Sequence, residues 1–436
     1  MKLSHVRLLL VFLQLTPSRR HRVGRLALKD GEVLFEYDPE FVELGLEISP
    51  LRLPLQRGLI VGDRRTFDGL PGVFEDSLPD GWGRLLLDRA AVKQGLSPSK
   101  LTRLDRLAVV GAHGVGALVY EPELAEVRPT VVDLRQIEGE TRAVLQNATG
   151  ADLDKLIVAG GSPQGARPKV LVQLRDDGEV VVGSTDPMPG YEPYLVKFRG
   201  EGDAPYAASL EYAYMLMAEA AGISVPPSRI LGMSKGHSGY FAVRRFDRIG
   251  DKRLHQHTLS GLLHAPHYYP ALGYRELLLT TRTLTRDEGA VAEMFRRACF
   301  NVFAHNRDDH SRNFAFVMDE RGEWAPSPAY DLTCSDGPGG EHSLLIGDEG
   351  RKPTREHLER LAESADVRGH GEIISEVMAA VRGFATFAAR AKLPASATKA
   401  VAAKHLVPSS TRPTKKRPLR PGAKHQRSKS KDRTRG

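Results

Sequence analysis

Nine consecutive polar residues, His305-Asn-Arg-Asp-Asp-His-Ser-Arg-Asn313, constrain this chain more than any other stretch. They lie between two segments that must be buried. From Ala290 to Phe303, the apolar residues Val291, Met294, Phe295, Ala298, Cys299 and Val302 recur at spacings of three and four, the period of a helix with one buried face. Phe314-Ala-Phe-Val-Met318 then reads as a buried strand. A fold that accepts this sequence must bury both flanks and still leave the polar loop solvated or paired, because unpaired polar groups are costly inside a core. Asp, Asn and Ser are also ordinary loop residues. A dense polar loop held by two rigid, buried elements is nevertheless where scaffolded chemistry tends to sit.

The spacing inside the loop narrows that chemistry. Asp308 and Asn313 are five apart, and Asp331 follows in Pro328-Ala-Tyr-Asp-Leu332. Protein-kinase phosphoryl transfer uses an Asp to accept the substrate hydroxyl proton, an Asn five residues later as a magnesium ligand, and a downstream Asp that holds the metal against the nucleotide phosphates. The match is in roles and spacing: Asn306-Arg307 replaces His-Arg, and Tyr330-Asp-Leu332 replaces Asp-Phe-Gly. Magnesium prefers hard oxygen ligands, which makes Asn313 and Asp331 the candidate metal ligands and leaves Asp308 as the candidate base. His310 is read as a positioning residue of the loop and not as a metal ligand.

Two upstream segments fit a nucleotide. Gly160-Gly-Ser-Pro-Gln-Gly165 lies between Leu156-Ile-Val-Ala159 and Lys169-Val-Leu-Val-Gln-Leu174. Glycines there let backbone N–H groups approach an anion, although the segment taken alone reads first as a plain hairpin turn. Tyr194-Leu-Val-Lys-Phe198 is an apolar strand carrying one Lys. A buried Lys197 needs counter-charges, and Glu211 in the helical run Ala208 to Ala221 is the candidate; the alternative is an edge-strand lysine facing water.

Six ordered blocks together resemble the HipA family of toxin kinases from bacterial type II toxin–antitoxin pairs. They are Phe74-Glu-Asp-Ser-Leu-Pro-Asp-Gly-Trp-Gly-Arg84, Gly161-Ser-Pro-Gln-Gly-Ala-Arg-Pro-Lys169, Leu195-Val-Lys-Phe198, Val243-Arg-Arg-Phe-Asp-Arg248, the Asn306 to Asn313 loop, and Ala329-Tyr-Asp-Leu332. The resemblance implies an α+β, two-lobed protein-kinase-like fold with a β-rich N-terminal subdomain and a mostly helical C-terminal lobe. It implies an ATP- and magnesium-dependent Ser/Thr protein kinase with a small DNA-binding antitoxin of the HipB kind as partner, DNA reached through it, and a protein target such as an aminoacyl-tRNA synthetase. Residue by residue, it makes Lys197 the phosphate lysine, Asp308 the base, and Asn313 and Asp331 the magnesium ligands. Gly160, Gly161, Ser162 and Gly165 would face the nucleotide with His310, and Arg244 and Phe246 would lie at the adenine hinge. Ser162 is the serine in the loop whose phosphorylation would switch the kinase off.

Composition sets the remaining bounds. Of 436 residues, 41% are hydrophobic and only two are cysteines, Cys299 and Cys334, which points to a globular protein in a reducing cytoplasm. Val6 to Leu15 carries Arg7 and Gln14 and lacks a small-residue cleavage site, so it reads as the first strand of a meander with Arg22–Leu28 and Glu32–Tyr37. No segment is long enough to span a membrane. The net charge of +8 is concentrated: residues 411–436 hold eleven Lys or Arg and one Asp, or +10, which leaves −2 for the rest. This tail reads as a solubilising, disordered segment or as a sequence-independent arm for nucleic acid.

The expected organisation is a β-rich subdomain over 1–125, a kinase-like small lobe over 126–243, a helical large lobe over 244–395 and a basic tail over 396–436. Within it, Gly111-Ala-His-Gly-Val-Gly116 is a structural turn, a helix runs from Val132 to Leu145, and His255, His257, His264 and His267 are surface and turn histidines, not a metal set. Two rival functions remain open: a kinase-like scaffold with little catalysis, acting with an antitoxin as a DNA-bound repressor, and a metal-dependent hydrolase using His305, Asp308, Asp309, His310 and Asp331.

Overall fold

The structure is a computed structural model that describes residues 1–125, 128–148, 151–160, 165–267 and 272–407. Expectations for Gly161, Ser162 and the basic segment from 408 onward lie outside those residues. The chain opens with strands β1 (Leu8–Gln14), β2 (Arg20–Lys29), β3 (Glu32–Tyr37), β4 (Leu59–Val61) and β5 (Leu118–Glu121). They form one antiparallel sheet in the order β4-β3-β2-β1-β5, which contains the predicted meander. Alternation does the work: Leu9, Val11 and Leu13 of β1 are buried on one face, against helices α1 (Pro39–Leu44), α2 (Gly72–Glu75) and α4 (Arg103–Val110), with α3 (Gly81–Lys93) between the last two in sequence.

The second sheet has the order β10-β11-β9-β7-β8-β6. Its strands are β6 (Thr130–Val132), β7 (Lys169–Arg175), β8 (Val180–Val182), β9 (Tyr191–Lys197), β10 (Ser228–Leu231) and β11 (Tyr240–Arg244). Helices α5 (Leu134–Leu145), α6 (Leu153–Gly160) and α7 (Ala207–Ala220) accompany it. Two local expectations change. The segment from Val132 divides, because Thr130–Val132 pairs with β8 and the helix starts only after Asp133, whose side chain caps Arg135 N. The apolar run before the glycine-rich segment is the end of a helix, so no hairpin forms there. Helix α3 buries Trp82, Leu86 and Leu87 in the same core as Val170, Val196 and Phe198, so the first subdomain and the second sheet share a hydrophobic interior.

The rest of the chain is mostly helical. After the short hairpin β12 (Arg248–Ile249) and β13 (Lys252–Arg253), a sheet of β14 (His255–Thr258), β15 (Ala315–Met318) and β16 (Trp324–Pro326) is surrounded by α8 (Leu259–Leu263), α9 (Tyr274–Thr285), α10 (Glu288–Phe303), α11 (Arg355–Ser364), α12 (His370–Arg382), α13 (Phe384–Arg390) and α14 (Ala395–Ala402). Every apolar position predicted for α10 is buried in one large core. Helix α14 corrects the expected tail: Ala397 and Val401 are buried, so residues 396–407 pack onto this lobe.

The histidine expectation also changes. His255 and His257 are buried, not superficial. They point the same way from β14 into the seam with the N-terminal subdomain, where Nε2 of His255 meets Ile48 O at 2.9 Å. His264 is half-buried, its Nε2 accepting from Gly72 N at 2.9 Å. Burial, and then the neighbouring His257, push the His255 imidazole down to about 3. An unfolded histidine takes a proton near pH 6.5, so this residue's contribution is intact above that value and is lost as pH falls toward 3. Going from pH 7.5 to 5 should cost about 2 kcal/mol through His255. Urea unfolding midpoints at the two pH values measure it, and in His255→Gln the acid-dependent loss should shrink by that amount.

Candidate functional site at the junction of three subdomains

The polar loop is presented by the end of α10, and its backbone is pinned from below. Asn306 Nδ2 donates to Asn301 Oδ1, Asn301 Nδ2 to the Tyr274 hydroxyl (both 2.9 Å), and that hydroxyl to Asp309 Oδ2 at 2.6 Å. Asp309 also meets His342 Nδ1 and accepts from Ser343 N, both at 2.7 Å. Arg307 N donates to Ser335 O at 3.1 Å. Between these anchors, Asp308 turns outward with its side chain 51% exposed. Asn313 Nδ2 donates to the Asp308 carbonyl at 2.6 Å, which closes the loop and leaves Asn313 Oδ1 free of that bond. His310 Nε2 lies 3.9 Å from Asp308 Oδ1, and its buried Nδ1 has no hydrogen-bond partner among the described residues.

Lys197 occupies the middle of the second sheet, on a strand flanked by β7 and β11, so the edge-strand alternative does not hold. Its ammonium contacts Glu211 of α7 and Asp331 of the large lobe together. Burial opposes the lysine's charge, but Asp331 and Glu211 outweigh it and raise its pKa. Burial alone would also raise the Asp331 pKa; Lys197 and Lys169 hold the carboxyl well below the usual range. Asp331 has φ 55°, a left-handed conformation uncommon for a non-glycine residue and costing of order 1–3 kcal/mol. Such backbone persists where surrounding contacts over-determine it, and here Lys197 grips the side chain.

Lys169 is the group that sequence reading missed. It faces Lys197 directly across the β7–β9 register and is buried. Burial lowers its pKa, opposed by Asp331. The signal was available: Lys169 begins an apolar strand, just as Lys197 ends one. The two ends of the glycine-rich segment approach this lysine closely. A Cβ at Gly160 would lie 2.1 Å from Lys169 O, and one at Gly165, where φ is 106°, 2.4 Å from Lys169 Nζ. At Gly160 backbone stands in the way of any side chain, and at Gly165 the positive φ favours glycine.

The predicted hinge residues lie at and just after the end of β11. The Arg244 guanidinium pairs with Glu192 at 3.0 Å, both about two-fifths exposed, and the Arg244 backbone N–H donates to Pro227 O at 2.8 Å. The Phe246 ring stacks on Tyr330, next to Asp331, at 5.8 Å. Just beyond, buried Asp247 accepts from Gly116 N at 2.7 Å, which gives the Gly111–Gly116 turn a structural use.

The hydrolase constellation separates. His305 turns to Asp336 at 2.8 Å and Asp309 is buried in its own network, so neither joins Asp308. Another arrangement has the Ser–His–Asp order: Ser49 Oγ lies 3.0 Å from His257 Nε2, and His257 Nδ1 lies 2.6 Å from Asp76 Oδ2. All three residues are buried, and Asp76 also accepts from Thr258 N and Oγ1, both at 2.7 Å. No substrate reaches that serine, and the set acts as a tie between the N-terminal subdomain and the large lobe.

Residues 17–121 match the HipA N-terminal domain family, and residues 161–385 the HipA-like C-terminal domain family. Sinorhizobium fredii has two relatives, each described as a kinase candidate. Y4dM is 26% identical over 70% of this chain and 72% of its own length; Y4mE is 28% identical over 59% and 63%. Among solved structures, HipA of Shewanella oneidensis, determined as a toxin–antitoxin complex with HipB and operator DNA, superposes with a TM-score of 0.65. It covers 91% of this chain and 94% of that one at 18% identity, and so shows the fold. Among the described residues, no helix is long and apolar enough to cross a membrane.

Proposed function

From a chain that belongs to the HipA family, we propose an ATP- and magnesium-dependent kinase that phosphorylates a serine or threonine of a protein. One observation carries this reading: a buried ammonium, Lys197, is shared between a small-lobe helix carboxylate, Glu211, and a large-lobe carboxylate, Asp331. That is the lysine, its orienting acid and the metal-binding acid that phosphoryl transfer requires across two lobes.

The donor set fits magnesium. Asn313 Oδ1 and the Asp331 oxygen not bonded to Lys197 are hard ligands, and few are needed when phosphate and water supply the rest. When bound, magnesium and ATP supply the phosphoryl group and neutralise its charge. The chain's own groups do the remainder. Lys197 and Lys169 offer positive charge to phosphate oxygens. Asp308, exposed at the loop tip, takes the hydroxyl proton. The Phe246–Tyr330 stack supports the hinge side. The family supports a toxin's role, and the HipB and operator DNA bound by the Shewanella oneidensis HipA support a small DNA-binding antitoxin as partner; an aminoacyl-tRNA synthetase is the class of target this reading adds. Two free cysteines, one buried and one half-buried, suit a reducing cytoplasm.

The test incubates the purified full-length protein with γ-labelled ATP, with and without magnesium and cell extract, beside Asp308→Ala. Magnesium-dependent transfer that disappears in the variant is the expected result. Nucleotide bound without transfer would favour the repressor scaffold instead, and ATP-independent cleavage of nucleic acid a hydrolase. A second expectation concerns Lys169. A charge-assisted hydrogen bond is worth about 1.5–3 kcal/mol, so Lys169→Met should weaken nucleotide binding about 10–100-fold. An ATP titration with unchanged affinity would remove Lys169 from the site.

A further inference from the structure

We propose that Asp80, a residue of the N-terminal subdomain, is a positioning residue that sets Gly165, at the start of the stretch leading to Lys169, and the catalytic loop relative to each other. The inference rests on the kinase reading of the site and adds a third subdomain to it.

One carboxylate spans the junction. Asp80 Oδ2 accepts from Arg312 Nη1 at 2.6 Å, and Oδ1 accepts from Gly165 N. Arg312 sits inside the catalytic loop, immediately before Asn313, and is 6% exposed. Its carbonyl accepts from the Tyr330 hydroxyl at 2.6 Å, one residue before Asp331. Gly165 closes the glycine-rich segment. The peptide there is gripped from both sides, because Trp82 N donates to Gly165 O at 3.1 Å. The contact is backbone against backbone: a Cβ at Gly81, where φ is 38°, would lie 2.6 Å from both Ala166 Cα and Gly165 O. Glu75 supports the arrangement, 3.3 Å from Arg312 and paired with Arg103.

A charge-assisted hydrogen bond is stronger than a neutral one, and the Asp80 carboxylate makes one to each partner. Loss of the bridge would loosen the Gly165–Lys169 stretch and the Arg312–Asn313 end of the loop together. Both changes are kinetic: the first raises KM for ATP and the second lowers kcat. Misplacement of reacting groups by about 1 Å costs up to 10²-fold in rate.

The full-length protein is compared with Asp80→Asn, Arg312→Lys and the double variant by hydrogen exchange and by ATP-dependent phosphate transfer. Arg312→Lys keeps the charge but loses the forked donor, and it tests the bridge from the other side should Asp80→Asn fold poorly. Each single variant is expected to speed exchange in peptides covering 165–170 and 306–313 together. Each should also lower kcat/KM about tenfold or more through both constants, and the double variant should lose no more than the worse single. Exchange that rises in only one segment or in neither, or losses that multiply in the double variant, would overturn the proposal. If the wild type transfers no phosphate, the kinase reading falls, and the exchange pattern alone decides for or against the bridge.

Discussion

Asp308→Ala is expected to fold normally, to bind nucleotide, and to transfer phosphate about 10²–10⁴-fold more slowly than the wild type. The side chain is half-exposed and the structure ties the loop through other groups. Asn313 reaches the Asp308 carbonyl, which an alanine keeps. Asp309 carries the buried network with Tyr274, His342 and Ser343. Stability should therefore stay within about 0.5 kcal/mol, as at most surface substitutions. Asp309→Ala reverses the pattern, since it strands the Tyr274 hydroxyl and the Ser343 N–H in a buried place. Label transfer and thermal unfolding, measured on both variants, check this. Equal transfer by Asp308→Ala and wild type would take the base out of the scheme.

Lys197→Met should be the most destabilising single change in the site. Removing one partner of a buried ion pair costs about 3–5 kcal/mol, because the charge left behind is unpaired. The Lys197 side chain is 11% exposed and that of Glu211 5%. A urea midpoint lowered by that amount, with nucleotide binding lost, is the expected result. The double variant Lys197→Met/Glu211→Leu separates the two effects: an apolar pair should recover most of the stability and none of the binding. If Lys197→Met is as stable as wild type, or binds ATP as tightly, the shared ammonium is not what joins the lobes.

What the sequence reveals and what it hides follow from the range of the interactions. Helix α10, the meander and the Lys197 strand were legible because each is a local period of apolar residues. The Lys197–Glu211 pairing was legible because a lone buried lysine demands a carboxylate. The end of α6 was not, since four apolar residues bounded by glycine fit a strand or a helix equally. His255 and His257 looked superficial because their partners, Ile48, Ser49 and Asp76, come from about 180 to 208 residues away. The Asp80 bridge joins positions 80, 165 and 312, a constellation no window of sequence contains. Asp308 and Asp309 are chemically identical neighbours, and the outward role of the first follows from a helix end pinned at Asn301 and Asn306.

Helix α10 and its loop also have support from behind. Leu406 N donates to Phe303 O at 2.9 Å, the Tyr214 hydroxyl joins the Ala304 carbonyl to His405, and Lys404 meets Asp336, the partner of His305. Translation makes these residues after everything else in the site. The emerging polypeptide thus carries Lys197, Asp308, Asn313 and Asp331 before it can brace the turn that aims Asp308, so the order of synthesis leaves that turn to be fixed last.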